Sequence, residues 1–152
     1  MSVFAAILSG KLPASQVYQD DLCIAFMDIH PITRGHTLVI PRQCVTTLDQ
    51  LPPGTRAHLW EIALRIGAAQ RRALGSGAQH FLVNDGKLAS QTVPHVHIHV
   101  IPRYGGDTAR AVSKMIWHVT TLMLPSRETR RRRARLDALA QQIATALDAH
   151  TP

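Results

Sequence analysis

Cysteine is scarce in this 152-residue chain: Cys23 and Cys44 are the only two. They lie far apart and form no CxxC pair, which argues against a disulfide framework and a zinc knuckle. Both read as reduced thiols of a reducing compartment. Long apolar runs are missing as well. No stretch approaches the roughly 20 apolar residues that span a bilayer. The opening MSVFAAILSGKLPAS has no basic n-region, and its apolar run is short for a secretory signal. The expectation is a soluble, cytoplasmic protein with no membrane partner. Internal repeats are also lacking, and the one biased segment is an arginine cluster between Arg127 and Arg135.

Acidic residues are outnumbered, with 10 Asp and Glu against 17 Lys and Arg. The imbalance is local. Residues 110–152 hold eight basic and three acidic side chains, whereas residues 1–109 hold nine and seven. Such a basic tail attracts nucleic acid or other anions, although a solvated helix face is the simpler reading. The body is nearly balanced, so its chemistry must be sought in particular residues.

The length fits a single domain over 1–152 with a core of its own. Residues 2–9 read as a short helix, capped by Ser2 and ended at Gly10. Residues 15–19 and 22–28 are rich in Val, Tyr, Ile and Phe, and Asp20-Asp21 between them reads as a hairpin turn. Residues 30–35 have turn chemistry. A buried strand then runs from His36 to Ile40, stopped by Pro41. Leu59, Ile62, Ile66 and Ala69 recur at helical spacing and predict a helix over 53–74, ended by Gly75-Ser76-Gly77. A strand over 79–84 and a polar loop over 85–93 precede another strand over 94–102. Beyond Gly105-Gly106 no element is defined until a basic helix over 126–149, with Leu136, Leu139, Ile143 and Leu147 on one face. Strands and helices without regular alternation point to the α+β class, with a mainly antiparallel sheet.

The informative run is His95-Val96-His97-Ile98-His99-Val100-Ile101. Along a strand, residues two apart share a face and stand roughly 7 Å apart. Three imidazoles then form a row, with Val96, Ile98 and Val100 facing the core. Three readings compete. Simple surface polarity is one. A metal site is the second, since imidazole is a common ligand. Against it, three alternate histidines span too far for one ion, and no carboxylate lies in the segment. The third is nucleophilic catalysis. A neutral imidazole attacks well near pH 7 because its ordinary pKa is about 6.5. Cationic or donor neighbours then stabilise phosphoryl oxygens. Asn84-Asp85-Gly86 and Ser90-Gln91-Thr92, just ahead of the row, supply amides, hydroxyls and backbone N–H donors.

Taken together, NDGKLASQTVPHVHIHVIPR (84–103) and GKLPASQVYQDDLCIAFMDIHPITRGHTLVIPR (10–42) resemble the histidine triad, or HIT, superfamily, and its HINT-like branch of nucleotide hydrolases. The likeness covers about residues 3–103 and leaves 104–152 as a C-terminal extension. It implies a five-stranded antiparallel sheet with one long central helix, a short N-terminal helix and a C-terminal helix. It implies a homodimer whose two sheets join. It also implies hydrolysis at the α-phosphorus of a purine nucleotide, such as a nucleoside phosphoramidate, through a nucleotidyl-histidine. By position the nucleophile is His97. His99 contacts the phosphate oxygens, and His95 and His36 form a polar relay behind. Asp28 accepts the ribose hydroxyls, with Ile29 beside it. Phe4, Ile7 and Phe26 line the base pocket. Asn84, Gln91 and Thr92 hold the phosphate or leaving-group side. Alternatives are a dinucleoside polyphosphate hydrolase and, in another class, a nucleotide- or RNA-binding module that uses the arginines of 127–135.

Departures from that family's pattern sharpen the expectations. Some relatives bind a structural zinc through residues whose places here hold Ser2, Ala5 and Cys44, so no metal and no cofactor are expected. Ser90 stands where Gly is common, and Pro94 where an aromatic is. A transferase branch carries Gln at the place of His99, so the histidine favours hydrolysis. Trp60 and Trp117 read as packing residues.

Overall fold

A computed structural model describes residues 2–121 and 129–149. The elements are α1 (Val3–Leu8), β1 (Gln16–Gln19), β2 (Cys23–Met27), β3 (Thr37–Pro41), α2 (Pro53–Leu74), β4 (Ala78–Leu82), β5 (Ile98–Arg103), α3 (Thr108–Thr121) and α4 (Arg130–Asp148). The strands form one antiparallel sheet in the order β1-β2-β3-β5-β4. The α+β class and the five-stranded sheet expected from the sequence are both present.

Register decides which residues share a face. Phe26 pairs with Leu38, Leu38 with His99, and His99 with Leu82. Side chains directly opposite one another point to the same side of a sheet. One face therefore carries Phe26, Leu38, His99 and Leu82. The other carries Met27, Thr37, Val100 and Phe81 by the same pairing. That second face holds the main core. α2 turns Leu59, Ile62, Ala63, Ile66, Ala69 and Leu74 onto it. α4 follows with Leu136, Ala140, Ile143 and Leu147, packed on α2 and β1. Both stripes match the helical spacing legible in the sequence. At roughly 1.5–3 kcal/mol for each fully buried aliphatic side chain, this stripe-on-sheet contact is the dominant stabilising term.

Among the described residues, α1 and α3 pack on the histidine face. α1, capped by the Ser2 hydroxyl on Ala5 N at 3.1 Å, brings Phe4 onto Ile24, Phe26, Leu38 and Ile40. α3 brings Ala111 and Met115, one helical turn apart, onto Ile32 and Ile101. The sequence left α3 undefined. Its stripe is short, and Val112 and Ile116 face outward, so its periodicity names no single face.

Several boundaries differ from the sequence reading. The strand expected over 94–102 is Ile98–Arg103. Pro94 has no N–H, and His95 N and Val96 N bond to Val93 O and Val45 O instead of the sheet ladder. His95 and His97 thus lie ahead of the strand. The strand expected to begin at His36 begins at Thr37, and the one expected over 79–84 is Ala78–Leu82. The basic helix begins at Arg130, and residues 126–128 of the expected span lie outside the described residues.

One glycine is required where the chain enters β3. Gly35 has φ +93°, and a Cβ there would stand 2.5 Å from Leu74 Cδ1. Only glycine accepts both the left-handed backbone and that approach. Close by, buried Gln70 of α2 donates to Gly35 O at 3.0 Å and to Val100 O at 3.3 Å. It braces the residues beside His36 and His99. Cys23 and Cys44 are both free thiols, as expected, Cys23 buried and Cys44 exposed. Among the described residues no helix is long and apolar enough to cross a membrane.

Candidate active site

His36, His95, His97 and His99 are all buried and gather on the α1 side of the sheet. The rings of His97 and His99 stand 4.8 Å apart, centroid to centroid, and those of His36 and His99 5.1 Å apart. The first distance is shorter than the roughly 7 Å strand step, consistent with His97 lying ahead of the ladder. The Phe4 ring meets His97 edge-on at 5.2 Å, His95 at 5.9 Å and Phe26 at 5.7 Å.

Hydrogen bonds assign the protons. A carbonyl only accepts, so the ring nitrogen facing one must be N–H. His97 Nδ1 lies 2.8 Å from His95 O. In the neutral ring, Nε2 then carries the lone pair. His95 Nε2 lies 2.9 Å from Pro41 O and is the N–H of that ring. Ile32 N donates to His36 Nδ1 at 3.3 Å, which leaves the His36 proton on Nε2. That proton points at His99 Nδ1, 2.9 Å away, so neutral His99 is protonated on Nε2. A neutral His97 thus has Nδ1 as donor to a carbonyl of its own segment and Nε2 as base. Burial lowers the pKa of His95 from its ordinary value, partly opposed by the bond to Pro41 O, so this ring stays neutral near pH 7.

In the relay, His36 bonds to His99, and the His95 ring is tied to β3. Asp28 follows β2 and is buried. Its Oδ1 accepts from His30 N at 2.8 Å, and its Oδ2 stands 3.5 Å from His36 Nδ1. Ile29 beside it is exposed. Phe4 and Phe26 are buried in one apolar cluster, with Ile7 against them.

Asn84, Gln91 and Thr92 lie in the loop ahead of the triad. Gln91 serves the loop itself: Nε2 donates to Thr46 O at 2.7 Å, and Oε1 accepts from Gly86 N at 3.0 Å. Asn84 Nδ2 reaches Ser90 O at 3.5 Å. Ser90 has φ 64°, the one non-glycine residue with positive φ among those described. A left-handed backbone at this place explains why glycine suits it.

Sequence reasoning missed Gln70, whose signal was a lone amide on an apolar helix stripe. It also missed the clasp in which Thr33 Oγ1 donates to Pro102 O at 2.6 Å and the Tyr104 hydroxyl to Arg34 O at 2.8 Å. Nothing in local pattern marks those pairings, since they join residues about 70 apart.

Two groups of side chains among the described residues have metal-ligating atoms within 4.8 Å of one another. In Asp28, His36 and His99, the two ring nitrogens stand at hydrogen-bond distance, 2.9 Å. Two nitrogens on one tetrahedral zinc, at bonds of about 2.0–2.1 Å, would stand about 3.3 Å apart. In Asp20, Cys23 and His58, the carboxylate accepts from Leu22 N, Cys23 N and the Tyr18 hydroxyl, each at 2.8 Å, and meets His58 Nε2 at 2.6 Å. That set clasps the β1–β2 turn onto α2. Burial pushes the Cys23 thiol up to about 12.

An antiparallel sheet that presents three alternate histidines, with a fourth bonded behind them, defines a histidine triad protein. The chain belongs to the HIT family, whose domain model matches residues 9–106. It is 42% identical over 146 residues to an uncharacterized HIT-like protein of Mycobacterium tuberculosis H37Rv, covering 96% of this chain and 98% of that one. It is 33% identical over 148 residues to the adenylylsulfatase HINT3 of Arabidopsis thaliana, covering 97% of this chain and 68% of that one. A zinc-bound histidine triad family protein from Mycobacterium smegmatis superposes with TM-score 0.75 at 36% identity, over 97% and 93% of the two chains. The positions at which the resemblance would place zinc do not fit it here. The Ser2 hydroxyl caps α1, and Ala5 offers no ligand atom.

A pH dependence follows from His95. Its folded pKa lies below the ordinary 6.5, so the unfolded chain binds the proton more readily. The stabilisation is complete above about pH 6.5 and is lost as pH falls from there toward the folded value. NMR titration is expected to place the His95 midpoint below 6.5. A midpoint at or above 6.5 contradicts the assignment.

Proposed function

We propose that this chain hydrolyses purine nucleotide conjugates at the α-phosphorus through a nucleotide covalently held on His97. The reading rests on one observation above others, the 2.8 Å bond between His97 Nδ1 and His95 O. It turns a basic Nε2 toward substrate without any neighbouring base having to remove a proton.

His97 Nε2 attacks phosphorus, and a P–N bond forms to the ring. The bond from phosphorus to the leaving group breaks, and a leaving amine takes up a proton from solvent. His99 Nε2–H, supported through Nδ1 by His36, stabilises charge on the phosphoryl oxygens. Water then attacks the same phosphorus and gives up a proton to solvent, the P–N bond to His97 breaks with its electron pair returning to Nε2, and a nucleoside monophosphate leaves. In this reading Asp28 accepts the ribose hydroxyls, with Ile29 beside it, and the base lies against Phe4, Ile7 and Phe26. Asn84 and Thr92 reach the leaving-group side, and Gln91 holds that loop in shape. No metal is required for either step.

The substrates we favour are nucleoside 5′-phosphoramidates and related conjugates. The 33% identity to an adenylylsulfatase over nearly the whole chain adds adenylyl sulfate to that class. Two exposed features favour a homodimer. β4 is an edge strand ending in exposed Leu82, and α3 exposes Val112 and Ile116. An open edge pairs readily with a second copy. The cytoplasm is the compartment proposed, in keeping with two free thiols.

Substrate turnover tests the chemistry. His97→Ala is expected to lower AMP release from adenosine 5′-phosphoramidate by at least about a thousandfold, as for a lost nucleophile, with the melting transition retained and chelator without effect on the wild type. A folded His97→Ala protein that keeps its rate refutes the reading. Sedimentation is expected to give twice the chain mass of 16.7 kDa. A monomer at all concentrations refutes the pairing.

A further inference from the structure

Two of the arginines that open α4, Arg132 and Arg133, do not behave as a solvated helix face. The Arg132 guanidinium donates to Ile29 O, a residue 103 positions away. Arg133 donates to Pro13 O and to Ser15 Oγ, each at 3.3 Å. Ser15 O in turn accepts from Met27 N at 2.9 Å, at the end of β2. The start of α4 is thereby tied to both chain segments that flank Asp28. The apolar stripe of α4, anchored on α2 and β1, keeps it there. Arg130 and Arg131, in the same first turn of α4, are exposed. No acidic residue occupies the first turn of α4. Asp137, one turn further on, accepts from the Ser15 hydroxyl at 2.6 Å.

This places a cluster of positive charge beside the segment that carries Asp28. The reaction proposed above has no use for it, since its transferred phosphorus sits at His97. We propose that Arg130, Arg131 and Arg132 form a second anion subsite, which takes a phosphoryl group on the 2′ or 3′ oxygen of the bound ribose. The inference rests on the proposed lodging of the ribose against Asp28. Guanidinium groups bind phosphate oxygens in pairs. Asp28 accepts from the ribose hydroxyl that remains, and the arginines offset its charge. Two sources share this chemistry, a nucleotide phosphorylated on its ribose and the 5′-terminal nucleotide of an oligonucleotide.

Calorimetric titration of the full chain at fixed salt tests the subsite, with four probes. They are AMP, adenosine 2′,5′-bisphosphate, adenosine 3′,5′-bisphosphate and the 5′-phosphorylated dinucleotide pApA. At least one bisphosphate is expected to bind about tenfold or more tightly than AMP, the scale of one charge-assisted bond. An equal gain for pApA assigns the subsite to oligonucleotide ends, and a gain for bisphosphates alone assigns it to mononucleotides. Arg130→Ala/Arg131→Ala/Arg132→Ala is expected to remove the gain and leave AMP affinity within about twofold. Should loss of Arg132 unfold the protein, Arg130→Ala/Arg131→Ala, which spares the Ile29 contact, is expected to remove at least half of the gain on a logarithmic scale. Equal affinity for AMP and both bisphosphates overturns the proposal, as does a gain that survives the arginine substitutions. Tight binding of single-stranded RNA that AMP does not compete also overturns it, since the arginines are then a general polyanion surface. Failure of AMP itself to bind sinks this proposal and the nucleotide reading together, whereas normal AMP binding without a bisphosphate gain sinks this one alone.

Discussion

The bond from His97 Nδ1 to the carbonyl of His95 spans only two residues, yet the chemistry argued for this site depends on it. An imidazole free to exchange tautomers presents its basic nitrogen in either direction. Tied to a carbonyl at 2.8 Å, the ring must be N–H on one side and basic on the other. The carbonyl faces the ring because residues 94–97 leave the ladder. Pro94 has no N–H to pair, and Val96 N bonds to Val45 O. A regular strand through His95 would spend that backbone on sheet pairing. The departure from regularity therefore supplies the partner for His97.

The rest of the fold holds this arrangement from three sides. β3 takes the His95 ring on Pro41 O, and β5 fixes His99 between Leu38 and Leu82. α1 contributes Phe4, whose edge-on contacts with His95 and His97 limit how far either ring can rotate. Beneath the sheet, Gln70 joins Gly35 to Val100, so the segments carrying His36 and His99 move together. His36 and His99 then act as one hydrogen-bonded unit, with its remaining N–H directed by His99. A rigid sheet on a packed helical layer positions such groups more closely than loops can.

Much of this was legible in the residues. The alternation of Val96, Ile98 and Val100 with three histidines gave the two faces of β5 correctly, because hydrophobic burial follows the two-residue period of an extended chain even just ahead of the ladder. The stripes of α2 and α4 were legible because each buries a full face. Two things were not. The limits of the triad strand depend on Val45, a distant residue whose carbonyl replaces a ladder partner of Val96 N, and no local signal names it. The pairing of His36 with His99 depends on sheet register, which the sequence constrains only through the whole hydrophobic pattern. α3 escaped because Val112 and Ile116 are exposed, and Arg132 escaped because a basic run looks the same whether solvated or docked.

The central claim is the proton position on His97, and long-range proton–nitrogen NMR of the imidazole side chains reads it directly. The account predicts, at a pH where the ring is neutral, a protonated Nδ1 and an unprotonated Nε2 for His97, and the opposite tautomer for His95. A His97 ring protonated on Nε2, or one averaging between the two tautomers, would contradict it.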